Sequence, residues 1–284
     1  MTLLAIPNVS EGRDRGAIER MAAAFDARLL DVHSDPDHHR TVFTLTGAQG
    51  ELADSVLNGA RQAVQEIDLR RHEGVHPRVG AIDVAPIVFL DERERGAACA
   101  EALVLADLLG AELALPIFLY GELGGGRTRA ELRRGGPPAL ARRMAAGELR
   151  PDFGPPSLHP SAGAVLVAAR PPLVAFNVEL APPATEQDAK AIAAVIREGG
   201  SEGLASVKAI GLWLSHRNAA QVSTNVEDYR RTPLASLVKA IARHAVPVGA
   251  ELVGLAPRAA FDGFPDDLPI ANKRLIEDAL EDKH

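Results

Sequence analysis

Thirteen residues, Pro151 to Gly163, hold four prolines and two glycines. Proline cannot donate to a strand ladder and blocks a helix interior, so this run is neither helix nor central strand. So stiff a segment is either a ligand-facing wall or a linker. The embedded Asp152, Phe153, Ser157 and His159 favour the wall, since a linker gains nothing from them. On both sides of the run, short apolar segments alternate with helical ones, which predicts an α/β protein with helices packed on mixed sheets.

Before the run, Leu3–Pro7 is apolar and residues 8–12 form a turn-rich loop. Asp14 is placed to cap a helix through about Phe25, with Ile18, Met21, Ala22 and Phe25 at helical spacing. Strands are expected at Leu29–Val32, Thr41–Thr46, Gly80–Leu90 and Leu115–Tyr120, with helices at Glu51–Ile67 and Arg93–Leu109. Glycine and proline doublets mark the region from Gly121 onward as turning backbone, apart from a basic helical piece at Ala139–Ala146. After the run come strands at Leu173–Leu180, Val207–Leu214, Ala220–Val226 and Gly249–Leu255. Helices are expected from Thr185 to about Arg197, at Leu234–His244 and near Ile270–Leu280. The natural parsing is two α/β subdomains, residues 1–171 and 172–284, without a sequence repeat between them.

A net charge of −7 argues against a general nucleic-acid binder, while leaving room for a local basic groove that takes an anionic small molecule. Cys99 is the only cysteine, which excludes an intramolecular disulfide and points to a reducing compartment. With no charged-then-apolar leader and no apolar run of 18 or more residues, the expectation is a cytoplasmic protein without a membrane anchor.

The chemistry concentrates in Arg70–Val84, RRHEGVHPRVGAIDV, which puts two histidines, two acids and three arginines into fifteen residues. His72, Glu73 and His76 match H-E-x-x-H, the zinc pattern that needs both imidazoles on one helical face. Gly74 weakens a helix there and Pro77 turns His76 out of the α region. A loop that delivers His76 to a cleft ahead of a buried strand fits better than a metal site, and no metal is expected. The bland alternative is a solvated charged loop.

Several segments together resemble glutamate formiminotransferase, the formiminotransferase domain of the formimidoyltransferase-cyclodeaminase family in standalone form. They are IPNVSEGR (Ile6–Arg13), RTVFTLTG (Arg40–Gly47), Arg71–Val84, FLYGE (Phe118–Glu122), PDFGP to HPSAGA (Pro151–Ala164), LVAFNVEL (Leu173–Leu180) and QVSTNVEDY (Gln221–Tyr229). The likeness runs in order along nearly the whole chain. It implies a homodimer of two-subdomain protomers, with mixed sheets facing one another across a folate tunnel and helices outside. The implied reaction moves a formimino group between N-formimino-L-glutamate and N5 of tetrahydrofolate, the co-substrate, in histidine breakdown. The family's catalytic histidine falls on His76. Its folate-binding segment falls on Gly154, Pro155, Pro156, Ser157, Leu158, His159, Pro160, Ser161, Ala162 and Gly163. The chain ends where a cyclodeaminase would follow, so deamination is not expected of it.

The residues agree with such a transfer. Amine attack on an amidine carbon requires one nitrogen to lose a proton and another to gain one, and an imidazole titrating near ~6.5 does both at neutral pH. His72 is a second candidate for that role. Asp31, Asp83 and Glu122 are candidates to stabilise a cationic amidine, and Arg40 and Arg78 to fork onto substrate carboxylates. Each is equally a cap or surface ion-pair residue when taken alone. Phe153, Phe176 and Tyr120 are the aromatics near the matching segments, and Asn177 with Gln221 or Asn225 are candidates to read the polar edges of a pterin. His33, His38 and His39, among Asp31, Asp35 and Asp37, read as a solvated polar loop. The chain departs from the family pattern at Leu123–Gly126, at Ala168 and at Ile87-Val88. Two other readings stay open: a folate-binding paralogue without catalysis or with altered specificity, and a metal-dependent hydrolase using His72, Glu73 and His76.

Overall fold

The computed structural model describes residues 2–74 and 76–282, so Val75 of the charged stretch lies outside the described residues. The chain separates into two compact units, Met1–Pro171 and Pro172–His284. Among the described residues no helix is long and apolar enough to cross a membrane.

The first unit is built on strands β1 (Leu3–Ala5), β2 (Asn8–Val9), β3 (Arg28–Asp35), β4 (Arg40–Gly47), β5 (Ile82–Phe89), β6 (Ile117–Leu119) and β7 (Val165–Arg170). Its helices are α1 (Arg15–Ala23), α2 (Leu52–Glu66), α3 (Arg95–Leu113), α4 (Arg129–Arg133) and α5 (Gly136–Ala145). β1 and β2 lie end to end between β4 and β5, and β3 closes the sheet beyond β4. This half is antiparallel. On the other side, β5, β7 and β6 run parallel.

That division decides what covers the sheet. One face carries Leu3, Phe43, Leu45, Ile87 and Val167 and is buried under α1, α2 and α3. On the opposite face the parallel half carries Val84, Phe118, Leu166 and Ala168 beneath Leu132 of α4 and Leu140 and Met144 of α5. Parallel strands need both faces covered, whereas an antiparallel edge does not. Every residue of β5 is accordingly buried.

The antiparallel half of that second face is polar instead. The register sets Asp31 beside Thr44, His33 beside Val42 and Asp35 beside Arg40, with Asn8 entering from β2. Asp31, His33, Asp35, Asp37 and His38 are all buried, which corrects the expectation of a solvated loop. His33 and Asp35 belong to β3, which is longer than its apolar core suggests.

Helix termini follow the capping residues. Asp14 accepts from Ala17 N at 3.0 Å and starts α1. α2 has no side-chain cap of its own; Glu101, buried on α3, accepts from Gly50 N at 2.6 Å and Ala53 N at 2.7 Å in its place. Among these elements, three escaped the sequence reading: β2, which lies in the stretch read as a turn-rich loop, β7, and α4, which opens on a capping box between Thr128 and Glu131.

The second unit has strands β8 (Val174–Leu180), β9 (Val207–Leu214), β10 (Ala219–Val226), β11 (Pro247–Val253) and β12 (Ile270–Ala271), in the order β12-β11-β8-β10-β9. Its helices are α6 (Glu186–Ile196), α7 (Leu234–Ala242) and α8 (Ile276–Glu281). A capping box between Thr185 and Asp188 opens α6. Phe176, Val178, Val222 and Leu252 form the apolar face with α6 and α7. The other face again carries polar groups: Asn177, Gln221 and Glu251 are buried there, and Arg217 reaches Glu179 at 2.6 Å and Glu251 at 3.3 Å. Each unit is thus a mixed sheet with an apolar face under helices and a polar patch opposite.

Candidate active site

The described residues on either side of Val75, 72–74 and 76–80, are held in shape by three sets of bonds. Arg78 donates to the carbonyls of Gly74 and His72, each at 3.0 Å, and of His76 at 3.2 Å, closing the loop on itself. Asp83, on β5, accepts from Val79 N at 2.8 Å. The stiff run then laces onto it: Ser161 O accepts from Leu69 N, Ala162 O from Ala81 N, and Ala164 N donates to Val79 O, at 2.8 to 3.0 Å.

This lacing requires glycine. A Cβ on Gly80 would lie 1.8 Å from Ala164 O, and one on Gly163, at φ 72°, would lie 2.2 Å from Val79 O. The Pro151–Gly163 segment is therefore bound along its end to the chain that presents His76. It is no free linker. Within it His159 turns back on its own turn, Nδ1 accepting from Ala162 N at 3.0 Å, while Pro156, Ser157 and Pro160 are exposed.

Around His76 the structure gathers residues from four directions. Arg40, at the start of β4, sets Nη1 2.5 Å from Nε2 and 3.0 Å from Nδ1, and its Nη2 donates to the side-chain oxygen of Asn8. The His38 ring stacks on that of His76, centroids 5.9 Å apart. From α4, Arg133 forms a buried ion pair with Asp83. Arg129 lies over the Tyr120 ring at 5.7 Å, and the buried Tyr120 hydroxyl has no hydrogen-bond partner among the described residues.

Protein surrounds His76 on nearly every side, yet part of its surface stays accessible. Burial first, then the charges of Arg40, Arg133 and His38, hold its pKa well below the ordinary imidazole value. Arg40 feels the same excess of positive charge. Burial and then Arg133 bring it down to about 9, against the pull of Asp83, so it remains a cation at neutral pH. The site thus presents a neutral imidazole beside fixed guanidinium groups. Such an imidazole is in its base form at neutral pH, and once protonated it gives the proton up more readily than a free imidazolium does.

The remaining candidates fall in different places. Asp31 is buried on the polar face of β3. Asp83 is committed to Arg133 and Val79, and Arg78 to the carbonyls of its own loop. Glu122 is exposed and paired with Arg95. Phe176 is fully buried in the second unit's core against Phe261 and Phe264, which corrects its reading as an aromatic for a ligand. Asn177, Gln221 and Asn225 do lie on that unit's polar face.

His72 and His76 do not share a helix. His72 is extended, at φ −83° and ψ 126°, and its ring stacks on His39 with centroids 4.2 Å apart. Burial, followed by Arg78 and His39, lowers the His72 pKa to about 4. Among the described residues no three His, Cys, Asp or Glu converge as a metal-ligand set. Arg129 and Arg133 are absent from the sequence reading, although the Thr128-x-x-Glu131 capping box signals their helix, while Asn8 figures there only within the turn-rich loop of the IPNVSEGR match and His38 only within the polar loop.

Residues 2–170 match the model of the formiminotransferase domain, N-terminal subdomain, and residues 175–263 match that of the formiminotransferase domain. The chain is 34% identical to a glutamate formimidoyltransferase of Thermoplasma acidophilum, over 90% of this chain and 88% of that protein. It is 35% identical to one of Streptococcus pyogenes serotype M1, over 90% and 89%. It is 39% identical to a formimidoyltransferase-cyclodeaminase of Sus scrofa over 90% of this chain, but spans only about half the length of that relative. With both domain models matched in order and the loop of His76 inside the first, the chain belongs to the formiminotransferase family.

Proposed function

We propose that this protein moves a formimino group between N-formimino-L-glutamate and N5 of tetrahydrofolate, with His76 as the base that becomes the acid. Residues 1–171 and 172–284 are the two subdomains of that transferase. The observation that carries the reading is the neutral, partly accessible imidazole of His76, held among guanidinium groups on a loop laced to the Pro151–Gly163 segment.

The chemistry then runs in two proton transfers. N5 of the folate attacks the formimino carbon, and the C=N electron pair moves onto the imino nitrogen. His76 takes the proton that N5 must lose. It returns that proton to the glutamate nitrogen as the C–N bond to glutamate breaks and C=N re-forms. Positioned proton transfer of this kind contributes about 10²–10⁴ in rate. A buried site rich in guanidinium suits substrates that bring several carboxylates. Gly154 to Gly163 would receive the folate, with Asp31, Arg40, Asp83 and Glu122 as further substrate contacts and Arg78 holding the loop. The active form is a homodimer in the cytoplasm, needing no metal; sedimentation velocity checks the dimer.

The direct test is release of glutamate from N-formimino-L-glutamate in the presence of tetrahydrofolate. Wild-type protein is expected to release it, and His76→Ala to lose turnover while retaining folate binding. Undiminished turnover by His76→Ala would refute the assignment of the base.

A further inference from the structure

Arg40 has an arrangement that its present partners do not satisfy. Its Nη1 faces both ring nitrogens of His76 at once, at 2.5 and 3.0 Å. The lone pairs of an imidazole diverge, so a single N–H bond cannot point along both. Its Nε is buried with no hydrogen-bond partner among the described residues. Among the described residues no carboxylate lies within ion-pair distance of this guanidinium, since Asp83 is taken by Arg133. A cation in such surroundings is costly unless an anion meets it.

We infer that Arg40 is the carboxylate-recognition residue of the site and exchanges partners, releasing His76 when a substrate carboxylate takes its fork. This rests on the reading of His76 as the transfer base. Two substrates bring carboxylates, and geometry separates them. His76 must reach the nitrogen that leaves with glutamate, and the α-carboxylate sits two bonds from that nitrogen. The carboxylates of the folate tail lie at the far end of a long molecule from N5. Since Arg40 already touches His76, it is the donor's α-carboxylate that falls within its reach. The bound anion would neutralise Arg40 as it frees the imidazole, so the base is unmasked only when the donor is in place.

The charged and titratable groups facing this pair are Arg133 and Arg129 from α4, Asp83 from β5, His38 before β4, Tyr120 after β6 and Arg78 on the loop itself. Arg40 is the one in direct contact with both His76 ring nitrogens.

The test follows the His76 ring by NMR in protein carrying ¹³C-labelled histidine, its signal assigned by loss in His76→Gln. N-acetyl-L-glutamate and N-acetyl-4-aminobutyrate are the probes; they differ by the α-carboxylate alone. The first is expected to raise the His76 pKa and the second to leave it in place. In Arg40→Gln the pKa rises without any probe, N-acetyl-L-glutamate adds nothing, and KM for the donor rises about 10²-fold with a smaller change in kcat. Arg40→Lys keeps the charge but loses the fork, giving an intermediate KM. Equal effects of the two probes, or an unchanged KM in Arg40→Gln, would overturn the inference. The wild-type titration decides the matter even where a variant does not fold. Loss of the parent reading would appear separately, as a wild-type protein that transfers no formimino group.

Discussion

Asp83 of β5 and Arg133 of α4 form an ion pair whose side chains are 3% and 11% exposed, and Asp83 also holds Val79 N at 2.8 Å. One carboxylate thus ties the helix missed in the sequence to the loop of His76. Asp83→Asn keeps an acceptor for Val79 but strands the Arg133 charge, which breaking a buried pair makes costly. The expected loss is about 3–5 kcal/mol by urea denaturation, partly restored in Asp83→Asn/Arg133→Met. A single variant as stable as wild type would show that the pair carries no such weight.

The pH dependence of transfer follows from the direction of the His76 shift. Its conjugate acid is stronger than a free imidazolium, so the base form persists well below pH ~6.5. The acid limb of kcat/KM, which reports the free protein, is therefore expected below that value. A limb above it would contradict a depressed His76.

Stability should change with pH in the same range. His39, His72 and His76 all have lowered pKa values, chiefly through burial, with His72 at about 4. Unfolded imidazoles protonate near ~6.5. Below that pH, and above the lowered values, the unfolded chain binds more protons than the folded one, so stability falls as pH drops toward 4. Each group adds at most about 1.4 kcal/mol per pH unit, less where solvent screens it. Denaturation at pH 7 and pH 5 measures the loss, and His72→Gln is expected to lessen it.

Gly80→Ala should separate the two laced segments. The added methyl would enter the space of Ala164 O, a backbone atom that cannot turn aside. Overpacking of this kind costs about 1–3 kcal/mol, and here it strikes the bonds that place the stiff run. The variant is expected to lose thermal stability and to bind tetrahydrofolate more weakly than wild type, as calorimetry would record.

Glu101 should matter to a helix it does not belong to. It supplies α2 with the acceptors that helix lacks, so Glu101→Ala leaves two donors near the helix start unpaired. The expected cost is about 1–3 kcal/mol in denaturant midpoint and slope, with transfer activity retained at low temperature.

Local rules carried much of this fold. Asp14 and Thr185 mark their helix starts because a short oxygen-bearing side chain can pair with backbone N–H groups a turn away. Val207–Leu214 reads correctly as a strand from its own residues. The same rules mark β7 through the apolar run after Gly163 and α4 through Thr128 with Glu131. The prominence of His76 also lay in the sequence, through the proline that follows it and the crowd of charges about it. Tertiary structure decided what those charges do. Burial of His33, Asp35 and His38 depends on the register of β3 on β4, and the neutral state of His76 on its own burial and then on arginines from β4 and α4, 36 residues before it and 57 after. Hydrogen bonds to near neighbours can be read from spacing, but the electrostatic field at a side chain is a sum over whatever the fold brings close.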